Sequence, residues 1–369
     1  MLTTVFLSFI WVFSTMWLTF LAVLSVSFIT LMAMRPVAEK IGLVDKPNFR
    51  KRHQGVIPLI GGIALYLGNL AFYLLEWQQM RLPELYLSAL TILLVIGVLD
   101  DRFDISPFLR AGIQALLAGA MIYSGLSIEN LGQLIAPFSL EIGALGIVLT
   151  VFITIGVINA FNMIDGIDGL LAGLSSVSFA GLGTLMYLDG QYNIAGWCLA
   201  IILVLLPYAL FNLSLFGARW KVFMGDSGST LIGFTIIWIL LLSTQGQGHP
   251  ISPITGLWLI AVPLIDMVAV FFRRLKKGKS PFRPDRLHIH HLMMRAGLSS
   301  RQALAVITFG SALCAAFGVL GEVYYWNQWV MFLSFVSLFF LYSYSIVHAW
   351  RITRFVRRHK RRARKKQLI

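Results

Sequence analysis

The chain has 369 residues, 58% of them hydrophobic and only 12% charged. A soluble domain carries about 25% charged residues, so this composition excludes an ordinary water-soluble fold and places most of the chain in lipid. The net charge of +14, from 30 Lys and Arg against 16 Asp and Glu, suits either nucleic acid or loops kept on the cytoplasmic side of a membrane.

A membrane-spanning helix needs ~20 mostly apolar residues. Eleven stretches come near that length: 5–34, 59–76, 85–99, 108–125, 142–161, 167–187, 192–213, 228–243, 253–272, 302–321 and 327–349. They predict one all-α polytopic domain over 1–350, with a basic tail at 351–369. The first charge is Arg35, so the first stretch is too long for a signal-peptide core and reads as a retained span. Cys198 and Cys314 lie in apolar runs and have no metal-ligand spacing.

Every Lys and Arg except Arg81 falls in the gaps after spans one, three, five, seven and nine, in the tail or, for Arg110, just inside the adjoining end of span four. The positive-inside rule makes that side cytoplasmic, with the N-terminus outside and the tail inside. The basic charge therefore needs no nucleic acid; the tail is either a solvated end or a contact for anionic lipid headgroups. Asp45, Asp100, Asp101, Asp104, Asp165, Asp168, Asp226 and Asp285 gather on the same side. Short acids beside a basic surface are what a metal–phosphate site needs.

The motifs follow in chain order. Asp45 to His53 contains Lys46, Arg50, Lys51 and Arg52 and leads to Gly61-Gly62; the run suits a lipid phosphate or pyrophosphate, and equally satisfies the positive-inside rule. Asp100-Asp101-Arg102-Phe103-Asp104 ends the third span. Adjacent carboxylates at an interface repel one another, so a cation, a basic residue or a shared proton must offset them, unless the helix end is simply solvated. Residues 127–130 and 138–141 flank a Pro-containing turn on the outer side, and their alternation predicts a small β-hairpin.

Asn159, Asn162, Asp165 and Asp168 recur every third residue in apolar sequence, with Gly166 and Gly169 beside them. In one α-helix a stride of three drifts about −60° per step, which would point Asn159 and Asp168 apart. The glycines predict a break that lets the four groups converge on a cavity; helix-to-helix bonding is the alternative, and it suits Asn159. Next come Asn212 and the run Lys221 to Thr230, where glycines flank Asp226. Asp226 would ligate a divalent ion before a helix whose N–H groups welcome an anion, or merely cap that helix. Phe223 is a stacking face for a base or a core aromatic. Asp266 lies about 10 Å into its helix, a depth at which a carboxylate is functional or paired. The loop Arg273 to Arg301 carries Arg286, His288, His290 and His291. These read as phosphate donors rather than a zinc site, since no Cys and no HExxH accompanies them; a purely solvated basic loop is the third reading.

These motifs, in this order on alternate gaps, resemble the polyprenyl-phosphate N-acetylhexosamine 1-phosphate transferase family from Lys46-Pro47 to His291. DKPNFRKRHQG, LDDRFDIS, NAFNMIDGIDGL, KVFMGDSGSTLIGF and SPFRPDRLHIHHLMMRAG look like its branch that initiates O-antigen and enterobacterial common antigen synthesis. The muramyl-pentapeptide branch carries a Lys soon after its Asp pair and a triple His, where this chain has Asp104 and His-Ile-His-His. The resemblance implies a multi-pass enzyme of the bacterial inner membrane that moves N-acetylglucosamine 1-phosphate from UDP-N-acetylglucosamine to undecaprenyl phosphate, releasing UMP. It implies Mg²⁺, or Mn²⁺ in its place, held by Asp226 and Asn162. Asn212, Phe223, Asp165 and Asp168 would line the uridine pocket, with Asn159 a weaker addition. Asp100 and Asp101 would be the acids near the attacking lipid phosphate, and Arg286, His288, His290 and His291 would grip the sugar-phosphate end. Single displacement and a phospho-aspartyl intermediate both stay open, as does the oligomeric state, of which a homodimer is one form. A polytopic transporter or lipid flippase is the alternative class, opposed by the one-sided polar cluster.

Overall fold

The computed structural model describes residues 2–46, 55–76, 81–134, 140–246, 249–278 and 288–348, with side chains from residue 16 onward. It is built almost wholly of helices, as the apolar runs require: α1 (Leu2–Ile41), α2 (Gly61–Glu76), α3 (Pro83–Phe103), α4 (Pro107–Tyr123), α5 (Leu145–Ile164), α6 (Leu170–Leu188), α7 (Tyr192–Asn212), α8 (Gly225–Thr244), α9 (Pro253–Leu259), α10 (Ala261–Lys276), α11 (Ile289–Arg295), α12 (Ser300–Val323) and α13 (Gln328–Val347). Each of the eleven apolar stretches meets a helix. By length and apolarity, however, eight described helices can cross a membrane, and nine if α9 and α10, bent by 84° at Ile260, count as one broken span. With 16 and 17 residues, α2 and α4 reach about 24–26 Å at 1.5 Å per residue, short of a ~30 Å hydrocarbon layer. Among the described residues the expected count of eleven is therefore not confirmed.

Chain direction nevertheless alternates. At one end of the bundle Asp101, in the last turn of α3, meets the start of α8, and Asn162, in the last turn of α5, meets Asp226. The start of α6 meets the end of α7 through Gly169 and Asn212, and Gly61 and Gly62 at the start of α2 donate to the Phe223 and Met224 carbonyls. At the other end Thr19 of α1 binds Glu76 at the close of α2, and Ser252 before α9 binds Glu322 at the close of α12.

Helix α8 is apolar around its whole circumference, the pattern of a buried helix, and every residue from Leu231 to Leu241 is buried. Its neighbours approach at glycines. A Cβ on Gly97 of α3 would lie 2.3 Å from the Ser227 Cα, and one on Gly62 of α2 would lie 2.4 Å from the Gly228 nitrogen. A polar knot pins the interior: the Tyr86 hydroxyl bonds the Thr235 hydroxyl at 2.8 Å, and the Asn69 carbonyl accepts from Tyr86 and Trp197 at 3.3 and 3.4 Å. Four helices are thereby tied in a region where water cannot serve as partner.

Two short strands, β1 (Val44–Asp45) and β2 (Ile57–Pro58), pair antiparallel. The Phe223 N–H donates to the Pro58 carbonyl at 2.9 Å. This pairing anchors both ends of the basic motif beside the start of α8; the motif's residues 47–54 lie outside the described residues. On the opposite end, Asn130 and Glu141 form an antiparallel bridge, consistent with the expected hairpin, whose turn at 135–139 also lies outside.

Candidate active site

The site forms where the ends of α3, α5 and α7 meet the starts of α4, α6 and α8. Gly225 turns with φ +76°, a conformation natural to glycine, and opens α8 toward Asp101. Asp101 Oδ1 accepts from the Asp226 N–H at 2.6 Å, and Oδ2 accepts from the Ser227 N–H at 3.2 Å and the Ser227 hydroxyl at 2.9 Å. The anion position at this helix N-terminus is thus filled from within by Asp101, not left free for a substrate.

Asp100 faces elsewhere. Its side chain is 2% exposed; Oδ1 accepts from the Ile105 N–H at 2.8 Å and Oδ2 pairs with Arg110 Nη1. Arg110 also reaches Asp226 Oδ2 at 3.5 Å. The Asn162 amide donates to Asp226 Oδ1 at 2.7 Å and to the Ser229 hydroxyl at 2.9 Å. Asp226, 44% exposed, is the junction of the site.

The break in the Asn/Asp motif is present. Helix α5 stops at Ile164, and Gly169 turns with φ +79° into α6. Asn212 is buried, accepting from the Gly169 N–H at 2.6 Å and donating to the Val222 carbonyl at 2.9 Å; it holds two loops together. Asp168 pairs with Lys221 at 2.6 Å, and the Lys221 ammonium lies 5.2 Å from the Phe223 ring centroid. Asp165 retains accessible surface. Desolvation by the surrounding protein, then the negative charges of Asp226, Asp168 and Asp101, raise its carboxyl to about 7. Asn159 bonds Gln114 of α4 at 3.1 Å, so it links helices one turn away from this cluster.

The histidines stand behind the loop. His290 is buried with Nε2 against Gly166, where a Cβ would come within 2.0 Å. Burial, then the neighbouring His291 and His288, push its pKa down to about 3, so it packs as a neutral ring rather than as a phosphate cation. His288 Nδ1 bonds Asp266 Oδ2 at 2.7 Å, and Asp266 Oδ1 accepts from the Ile289 N–H at 3.0 Å and from the Tyr342 hydroxyl. The partner that the sequence left unnamed for Asp266 is therefore His288, with α13 contributing Tyr342. His291 is half-buried, and Arg286 lies outside the described residues.

Sequence reasoning singled out neither Arg110 nor Tyr342. Arg110 did carry a signal, because a cation in the first turn of a helix opposes the dipole and so needs another reason to be there. No group of three or more His, Cys, Asp or Glu among the described residues is arranged to hold a metal ion. Asp226 with the Asn162 amide, and Asp165 close enough to repel it, still suits Mg²⁺, which takes one or two carboxylates and draws its other ligands from phosphate and water.

Residues 84–244 match the family model described as glycosyl transferase family 4. The chain is 65% identical over 334 residues to the undecaprenyl-phosphate alpha-N-acetylglucosaminyl 1-phosphate transferase of Haemophilus influenzae, covering 90% of this chain and 94% of that protein. It is 64% identical, with the same coverage, to the protein of that name from Pasteurella multocida. It is 54% identical to the one from Escherichia coli, over 90% of this chain and 91% of the relative.

Proposed function

The chain belongs to glycosyl transferase family 4, in the branch of undecaprenyl-phosphate alpha-N-acetylglucosaminyl 1-phosphate transferases, and from that premise we propose that it moves N-acetylglucosamine 1-phosphate from UDP-N-acetylglucosamine to undecaprenyl phosphate. A lipid-phosphate oxygen attacks the β-phosphorus, the bond from that phosphorus to the bridging oxygen breaks, and UMP leaves with that oxygen. One pyrophosphate is broken and one made, so no further energy source is needed. The product opens O-antigen or enterobacterial common antigen assembly, at the cytoplasmic face of the inner membrane, with the N-terminus outside.

The observation that carries this reading is the convergence on Asp226 of an amide, a guanidinium and neighbouring carboxylates at one end of a membrane bundle. Asp226 and Asn162 would hold Mg²⁺, which when bound neutralises charge on the transferred phosphoryl group. Phe223, with Lys221 over its ring and Asp168 paired to that lysine, would receive the uridine, and Asn212 would fix the loops that form this pocket. His291 is the histidine with surface to offer the sugar phosphate, while His288 and His290 support the loop. Asp100 is bound to Arg110 and Asp101 to the start of α8, an arrangement that favours direct displacement over a phospho-aspartyl intermediate. A monoester phosphate is largely a dianion at neutral pH, so a strong base is not needed.

The test is UMP release by the purified protein from UDP-N-acetylglucosamine, with undecaprenyl phosphate and Mg²⁺. Release that depends on lipid and metal, and falls at least about a hundredfold in Asp226→Ala, supports the reading. No release by folded protein with any common UDP-sugar would overturn it.

A further inference from the structure

We infer that Arg110 receives the phosphate of the acceptor lipid, and that the lipid reaches it at the turn joining α3 to α4. The inference rests on the transferase reading and adds a residue and a route to it. Arg110 is held on one side by Asp100, whose two oxygens are taken up by Arg110 and the Ile105 N–H. That half of the arrangement is fixed and buried. Its other contact, to Asp226, stands at 3.5 Å, the outer limit of a hydrogen bond, and is readily exchanged.

Both contacts come from the single nitrogen Nη1. A guanidinium has five N–H donors in a planar fork, so an edge suited to two oxygens of a phosphate remains, and the side chain is 30% exposed. A phosphate monoester brings more negative charge than a carboxylate and would displace Asp226 from Arg110, freeing that carboxylate for the donor substrate. The turn outside Arg110 exposes three large apolar side chains, Phe103, Phe108 and Leu109, Phe108 by 75%, beside the exposed Arg102 and Asp104. In a membrane the three apolar side chains meet lipid tails, so a polyprenyl chain lying on them carries its phosphate to the guanidinium. The proposed uridine pocket is built from other residues, Asp168, Lys221 and Phe223. Each substrate thus has its own approach to the same carboxylate.

The test uses the purified full chain in mixed micelles. Undecaprenyl phosphate binding is measured without nucleotide by native mass spectrometry, beside KM for each substrate, in wild type, Arg110→Lys and Arg110→Gln. The lysine keeps the charge opposite Asp100 but loses the fork, and is expected to raise the lipid KM about tenfold while the UDP-sugar KM stays within about twofold. The glutamine is expected to lose lipid binding and retain UDP-sugar binding, which also certifies its fold. Lipid binding and lipid KM unchanged in Arg110→Lys, an equal rise in both KM values, or equal competition by phosphatidylglycerol would each overturn the inference. Arg110-dependent lipid binding without UMP release would sustain the inference and sink the transferase reading. Normal UMP release with an Arg110-independent lipid KM would do the reverse.

Discussion

Asp165 keeps a proton at pH values where a free carboxyl has lost it, because desolvation and three neighbouring carboxylates oppose its charge. The sign for stability follows. The folded pKa of about 7 lies above the usual carboxylate range near 4, so the folded state binds the extra proton between those values. Stability of the substrate-free protein then falls as pH rises through that window. Asp165→Asn is expected to raise Tm at pH 8 and to raise it much less at pH 5; equal gains at both would refute the charge explanation. At this scale the Asn/Asp spacing predicts that Asn159, Asn162, Asp165 and Asp168 converge; the structure brings Asn162 and Asp165 beside Asp226 and leaves Asn159 bonded to Gln114. The sequence could not divide Asp100 from Asp101. Neighbours on a helix point about 100° apart, so one turns to Arg110 and the other to α8, and only the packing of three helices decides which.

The α8 helix sits at the centre because its glycine-faced neighbours let backbone meet backbone. Gly97→Val puts carbon within 2.3 Å of the Ser227 Cα, a backbone atom that cannot swing aside, and the start of α8 must shift with it. Overpacking of this kind costs about 1–3 kcal/mol or more. The variant is expected to lose several degrees of Tm and to lose UMP release although no site side chain is changed; wild-type Tm and activity would contradict the close packing. The Gly166 and Gly169 break was legible because glycine punctuates a motif whose polar groups must converge. Other breaks were not. Residues 253–272 read as one span, yet Pro263, lacking an N–H, lies in the first turn of a new helix. Conversely Arg35-Pro36 looked like an end, and α1 runs on to Ile41.

Across the whole molecule, one end gathers the site and the other holds Glu76, Glu129 and Glu322, each bonded at a helix end or loop. If the basic end faces the cytoplasm, as the positive-inside rule has it, a cysteine placed at Asp189 reacts with an impermeant thiol reagent outside intact cells and one at Asp104 does not. The opposite pattern would reverse the orientation. The apolar pattern gave the alternation of helices, since each hydrophobic run has to be followed by a return. It did not give the length that leaves α4 short, at 17 residues. The bond from Tyr342 to Asp266 joins the last helix to the histidine support of the site. Before α13 is in the membrane, Asp266 keeps His288 and the Ile289 N–H but lacks Tyr342, and a hydrogen bond to a charged group contributes about 1.5–3 kcal/mol. Synthesis order then sets when the support is complete: a ribosome-arrested chain lacking α13 is expected to release less UMP than the same chain finished and let go, and equal release by both would show that α13 adds nothing to it.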